Sequence, residues 1–92
     1  MARPPLHLAA LSGKAEAVSA LVARGAKTSA LTRDTGESAL HIAAAWGRLE
    51  ALRGLIASGA DRSAKDCRGR TPLERAAENN FSEIARALQA AR

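Results

Sequence analysis

The side chains in this 92-residue sequence best suited to chemistry are two histidines, His7 and His41, and one cysteine, Cys67. Imidazoles and thiolates bind transition metals, and both also serve in proton transfer or nucleophilic attack. Cys67 has no second cysteine and no nearby histidine to activate it. The sequence contains no Gly-rich phosphate-binding loop, paired acid and base, or nucleophile motif. We therefore predict no enzymatic activity, no metal site and no cofactor.

The spacing of the two histidines is part of an internal repeat. Of the 26 positions from residue 5 to residue 30, 13 carry the same amino acid as the position 34 residues later. A third copy follows at an offset of 33, which places a one-residue insertion between residues 30 and 36. His7 and His41 are thus equivalent positions of neighbouring copies. Stacked copies would hold them roughly 10 Å apart, too far to share a metal ion with ligand bonds of about 2 Å.

Each copy predicts two short helices. The first helix of each copy shows apolar residues at i, i+3 and i+4, at Leu6, Ala9 and Ala10, at Leu40, Ala43 and Ala44, and at Leu73, Ala76 and Ala77. We expect glycine to end the first helices at Gly13 and Gly47 and the second helices at Gly25 and Gly59. In the third copy, Thr71 is placed to cap a helix that begins at Pro72.

Composition favours an all-α fold. Alanine supplies 23 of the 92 residues, and aromatic residues only 2%. Small apolar side chains suit closely packed helices better than sheets of wide, β-branched strands. The net charge of +5 leaves an acidic protein, nucleic acid or an anionic surface as possible partners. Without a signal-peptide pattern or a membrane-length apolar stretch, we expect no membrane contact and a cytoplasmic location, or a nuclear one in a eukaryote.

The period of 33 to 34 residues, the paired helices and one recurring string together carry a family resemblance. The string is Pro5-Leu6-His7-Leu8-Ala9-Ala10, echoed by Leu40-His41-Ile42-Ala43-Ala44 and by Thr71-Pro72-Leu73-Glu74-Arg75-Ala76-Ala77. The sequence resembles the ankyrin-repeat family. The resemblance implies an all-α solenoid of helix-turn-helix units with short extended β-turn fingers between repeats. It also implies one domain over residues 1–92, with repeats at about 3–34, 35–66 and 67–92.

The resemblance further implies a protein-binding surface and a structural role for the histidines. In the family, this histidine makes hydrogen bonds that tie the turn to the helices, which is the role expected of His7 and His41. A concave groove would be lined by Leu11, Ser12, Ala45, Trp46, Glu78 and Asn79. The fingers would contribute Arg33, Asp34, Thr35, Glu37, Lys65, Cys67, Arg68 and Arg70.

Trp46 is the most informative of these residues, because Ser12 and Asn79 occupy the same position in the other copies. Either Trp46 is a partner contact, since tryptophan is enriched among binding hot spots, or it packs over its neighbours to supplement a small core. Arg68 and Arg70 alternate, so in an extended segment they would point to the same side and could contact an acidic partner. The other reading of each arginine is a charge in a solvated loop.

Three functions are compatible with these patterns. The first is a non-enzymatic module that binds a protein partner through the groove and the fingers, with an acidic protein as one candidate. The second is nucleic-acid or other polyanion binding, which the interleaved acidic residues and the lack of an aromatic platform disfavour. The third is an assembly unit cut from a longer repeat protein, since the first copy lacks a finger before its helix. We expect a monomer or weak self-association through that first copy.

Overall fold

The structure, a computed structural model, describes residues 5–90. Six α-helices follow one another as three pairs, and no β-strand occurs within these residues. The helices are α1 (Pro5–Ser12), α2 (Ala15–Ala23), α3 (Ala39–Ala45), α4 (Leu49–Ala57), α5 (Pro72–Glu78) and α6 (Ser82–Ala90). None of them is long and apolar enough to cross a membrane. The predicted all-α fold with two short helices per copy is confirmed.

The helices form two layers. In the first layer, α3 packs between α1 and α5, and in the second layer α4 packs between α2 and α6. The two helices of each pair also pack against each other. The core lies between the layers and is built mainly from aliphatic side chains that expose at most 2% of their surface, among them Leu6, Leu40, Ile42, Leu52 and Leu55. Burial is continuous from one pair to the next, as expected for a stack of repeats.

Alanine sets how closely the pairs approach. Ala10, Ala43, Ala44 and Ala51 expose no surface, so neighbouring backbones come together where a larger side chain would separate them. Ala77 is the counterpart of Ala44 in the third pair, but it is exposed. Ala44 is covered because α5 packs against α3. No helix among residues 5–90 packs on the far side of α5, so Ala77 has nothing to bury it.

The helix boundaries follow from local hydrogen bonding. Ser38 caps α3 and Thr71 caps α5, each by accepting the backbone N–H three residues later. Pro72 occupies the first turn of α5, where its missing N–H costs nothing. After the first-layer helices, the chain reverses through residues with positive φ, namely Gly13 at 77°, Gly47 at 70° and Asn80 at 60°. Gly25 and Gly59 do the same after α2 and α4.

Each of the first two turns is covered by a side chain from the next pair. The guanidinium Nε of Arg48 donates to the carbonyl oxygen of Leu11 at 2.8 Å and so satisfies one of the last carbonyls of α1. A Cβ placed on Gly13 would lie 3.1 Å from the Cδ of the same arginine. In the next pair Phe81 takes this place and packs its ring over Gly47. These contacts connect successive pairs at the turn end of the stack.

Candidate functional site

Two tight turns, here called finger 1 (residues 32–37) and finger 2 (residues 66–70), precede α3 and α5. Finger 1 closes with a hydrogen bond from the Thr32 N–H to the Glu37 carbonyl at 2.9 Å, and finger 2 with one from the Asp66 N–H to the Arg70 carbonyl, also at 2.9 Å. The two bonds are equivalent, but finger 1 holds one more residue. The insertion predicted between residues 30 and 36 therefore falls inside the finger 1 turn.

The two fingers are in direct contact. The Cys67 N–H of finger 2 donates to the Thr35 carbonyl of finger 1 at 3.0 Å. Close approach depends on Gly36, which has a φ of 65° and where a Cβ would lie 3.2 Å from the Cys67 nitrogen. A side chain at this position would be strained and would crowd the neighbouring finger. The contact places the exposed residues Thr35 and Cys67 side by side, and Arg33 and Arg68, which are also exposed, lie within two residues of it in their own fingers.

Histidines anchor both fingers to the helices. His7 Nε2 donates to the Glu37 carbonyl at 2.8 Å, and His41 Nε2 donates to the Arg70 carbonyl at the same distance. His41 Nδ1 accepts from the Ser38 backbone N–H at 3.2 Å and lies 2.8 Å from the Ser38 hydroxyl. These partners require a neutral imidazole with its proton on Nε2. Each histidine is fully buried and links its own helix to the finger of the following pair.

Asp66 organises finger 2. Its Oδ1 accepts the backbone N–H groups of Arg68 at 2.9 Å and of Arg70 at 3.0 Å. Burial, which leaves 1% of the side chain exposed, favours the protonated acid. Nevertheless the two N–H donors and the Arg70 charge hold the pKa of the Asp66 carboxyl below its usual range. Asp66 is thus an ionised, buried group that fixes the finger backbone.

Arg70 and Arg75 belong to an ion-pair network rather than to an open basic surface. Arg70 places Nε 3.2 Å from Asp66 and Nη1 2.8 Å from Glu78. Arg75, on α5, contacts Glu37 of finger 1 and lies 3.5 Å from Asp66. The network joins both fingers to α5, with three carboxylates facing two guanidinium groups. Its arginine charges are therefore balanced within the molecule.

A row of exposed side chains crosses the ends of the first-layer helices. Ser12 and Asn79 turn back to their own helices, where they donate to the Ala9 carbonyl at 3.0 Å and the Arg75 carbonyl at 2.9 Å. Trp46 stands between them at the C-terminus of α3 and exposes 55% of its surface. The stack thus leaves most of this indole in contact with solvent.

These features, three stacked helix pairs with a finger before the second and third, agree with a family model described as ankyrin repeats (3 copies), which matches residues 6–91. The chain belongs to the ankyrin-repeat family. Ankyrin repeats generally act as protein–protein interaction modules, and the family is typically non-enzymatic. Among curated proteins, none shows significant sequence similarity to this chain.

The ankyrin scaffold brings some of the expected site residues together and separates others. Ala45 is half-buried beside Trp46, and Glu78 keeps 46% of its side chain exposed while it pairs with Arg70. The expectation that Arg68 and Arg70 share one side assumed an extended segment. Residues 66–70 instead form a tight turn, in which Arg68 is exposed and the Arg70 side chain retains only 27% exposure.

Sequence reasoning missed Asp66 and Arg75 as members of the site. Arg75 aligns with Leu8 and Ile42 of the other ankyrin repeats, so a charge at an apolar position was a visible signal. Asp66 aligns with Thr32, which closes finger 1 through its own hydroxyl by accepting the Glu37 N–H at 3.0 Å. Over residues 5–90, no group of three or more histidine, cysteine or acidic side chains is arranged to hold a metal ion.

Proposed function

We propose that this ankyrin-repeat chain binds a partner protein through a single face, here called the binding face. It consists of the exposed ends of the first-layer helices together with the two fingers. The face would be concave, as the family resemblance implies. Its residues are Ser12, Ala45, Trp46, Glu78 and Asn79 on the helices and Arg33, Thr35, Glu37, Cys67, Arg68 and Arg70 on the fingers.

The exposed indole of Trp46 carries this proposal. Serine and asparagine fill the same place in the other repeats, so neither the helix nor the turn that follows it needs an aromatic side chain there. Burying a tryptophan removes about 150–250 Å² of mostly apolar surface from water, and tryptophan is strongly enriched among residues that dominate binding energy. A partner that covers Trp46 would gain this surface without displacing any contact of the stack.

The rigidity of the face supports the same proposal. Both fingers are held by internal hydrogen bonds, by contact with each other and by buried histidines, so little conformational entropy is lost when a partner docks. The balanced charges of Arg70 and Arg75 argue against the polyanion alternative, because a phosphate backbone would find fewer unpaired cations than the net charge of +5 suggests.

The test compares affinity capture by the wild-type chain and by Trp46→Ala. Trp46→Ala should lose captured proteins with at least a tenfold fall in affinity, whereas Arg53→Ala, which changes an exposed residue on α4, should retain them. Since Trp46 is the chain's only tryptophan, its emission should shift to shorter wavelength when a captured partner binds the wild type. Full retention of every partner by Trp46→Ala would refute the proposed face. If the chain binds double-stranded DNA of arbitrary sequence at low salt, the polyanion function is favoured instead.

A further inference from the structure

Resting on the proposed function, we infer that the partner presents an acidic segment whose carboxylates are bound by Arg33 and Arg68. These arginines lie at the finger tips, defined here as residues 33–35 of finger 1 and 67–68 of finger 2, which meet at the hydrogen bond between Cys67 and Thr35. Arg70, in contrast, is a positioning residue that the partner does not contact through its charge. The inference thus assigns different roles to three arginines that lie close together in the fingers.

The first support is the difference in partners among the arginines. Arg70 is committed to Asp66 at 3.2 Å and to Glu78 at 2.8 Å, and its carbonyl also accepts the His41 Nε2–H. Arg33 and Arg68 are exposed and form no ion pair with any described residue. An incoming carboxylate therefore meets no internal competitor at Arg33 or Arg68, but would have to displace Asp66 or Glu78 at Arg70.

The second support is the local charge. The finger tips carry Arg33 and Arg68 against a single acidic side chain, Asp34, and the exposed Lys65 directly precedes finger 2. Asp34 is partly engaged, because its Oδ1 accepts the Thr35 N–H at 2.9 Å. The tips therefore have a net charge of +1, or +2 with Lys65, whereas the ion-pair network of Arg70 and Arg75 carries one more carboxylate than guanidinium. Complementary charge steers a partner toward such a surface and rejects like-charged segments.

The third support is preorganisation. The hydrogen bond from Cys67 to Thr35 holds the tips together, and Asp66 fixes the finger 2 backbone by accepting the Arg68 N–H at 2.9 Å. Two guanidinium groups on a fixed frame can bind one acidic segment at two points, and each can form a bidentate pair with a carboxylate. Trp46 lies at the opposite end of α3, about 10 Å along a seven-residue helix. A partner segment that contacts the tips and the indole must therefore be extended over several residues.

The experiment uses an array of 12-residue synthetic peptides arranged in sets of three. The three peptides of a set share the same leucine-rich motif and differ only in the residues around it, which are glutamate, glutamine or lysine. The wild-type chain should bind the glutamate members best, and binding should weaken as sodium chloride rises. Arg33→Gln/Arg68→Gln should reduce affinity for the glutamate peptides at least tenfold. The matched control, Arg53→Gln/Arg86→Gln, makes the same change in net charge at exposed positions of the second layer and should change affinity less than twofold.

The outcomes separate this inference from the proposed function. If peptide binding depends on Trp46 but is unchanged by Arg33→Gln/Arg68→Gln, the proposed function stands and the inference of an acidic segment is overturned. Equal losses in the two double variants would also overturn it, because net charge alone would then explain binding. Absence of binding to any glutamate peptide would overturn it as well. Arg70→Gln should lower the melting temperature, and a preference for glutamate over glutamine that survives in this variant supports the positioning role.

Discussion

His41 Nε2 donates a 2.8 Å hydrogen bond to the carbonyl oxygen of Arg70, and this bond ties the second ankyrin repeat to the finger of the third. The same imidazole accepts the Ser38 N–H through Nδ1 and thereby closes the cap of its own helix. In the third repeat, Glu74 performs the cap function by accepting the Thr71 N–H at 2.9 Å. Its carboxylate has no proton to donate onward, so it cannot supply the second bond.

His41→Leu should therefore destabilise the fold by about 2 kcal/mol, since buried polar groups lose their partners at Ser38 and Arg70. Glu74→Leu changes the equivalent position and should cost about 1 kcal/mol at most, because it removes half of an exposed capping box. Urea denaturation followed by circular dichroism measures both values. Equal losses in the two variants would show that the bond between repeats contributes nothing beyond capping.

Asp66 should make stability depend on pH in the acid range. Its folded-state pKa is lowered, so its ionised form stabilises the fold fully above the unfolded value of about 3.9, and this contribution is lost as the pH falls through the still lower folded pKa. Asp66→Asn should be less stable than the wild type at pH 7, and the difference should shrink below about pH 4. Thermal melts between pH 2 and pH 7 test this, with Asp34→Asn at an exposed position as the control. A difference that stays constant with pH would contradict the role of the charge.

Gly54→Ala should stabilise the protein. Gly54 lies inside α4, and a Cβ there would sit 3.7 Å from the Ala15 Cβ and from the Val18 Cγ1, which is ordinary contact. Replacing glycine by alanine within a helix gains up to about 1 kcal/mol, and in a domain of this size that raises the melting temperature by about 4–8 °C. Calorimetry measures the shift. A lower melting temperature would mean that α2 and α4 pack more tightly than these distances indicate.

Gly47→Ala should destabilise the protein by about 2 kcal/mol, because φ is 70° and a Cβ would approach the Phe81 ring to 3.0 Å. Gly59→Ala is the matched comparison, since φ is 88° there but no atom lies within 4 Å of the added Cβ. Gly59→Ala should therefore lower the free energy of unfolding by about 1 kcal/mol, which is the cost of the strained backbone without any crowding. The cost of Gly47→Ala should fall to about that of Gly59→Ala when it is measured in a Phe81→Ala background. If Gly47→Ala cost as much in that background as in the wild type, crowding at Phe81 would not be the cause of the additional loss.

The amino-acid sequence alone determined the repeat, the two helices of each copy and the positions of the caps and turns. These features depend on apolar spacing and on residues such as Ser38, Thr71 and Gly47, whose chemistry acts over a few positions along the chain. The family followed from the same pattern, because the period of 33 to 34 residues and the paired helices occur here together with the recurring string that begins at Pro5, Leu40 and Thr71.

Only the tertiary structure decided which charges are available to a partner. Arg68 and Arg70 look alike in sequence, but the carboxylates of Glu78 and the buried Asp66 pair with the guanidinium of Arg70 and not with that of Arg68. Burial was decided in the same way, since Ala44 and Ala77 share a repeat position and differ because α5 covers one of them. Ion pairing and burial depend on groups brought together from distant parts of the chain, whereas capping and helix periodicity depend on near neighbours. This is why the sequence predicted the scaffold but not which side chains stay exposed on the proposed binding face.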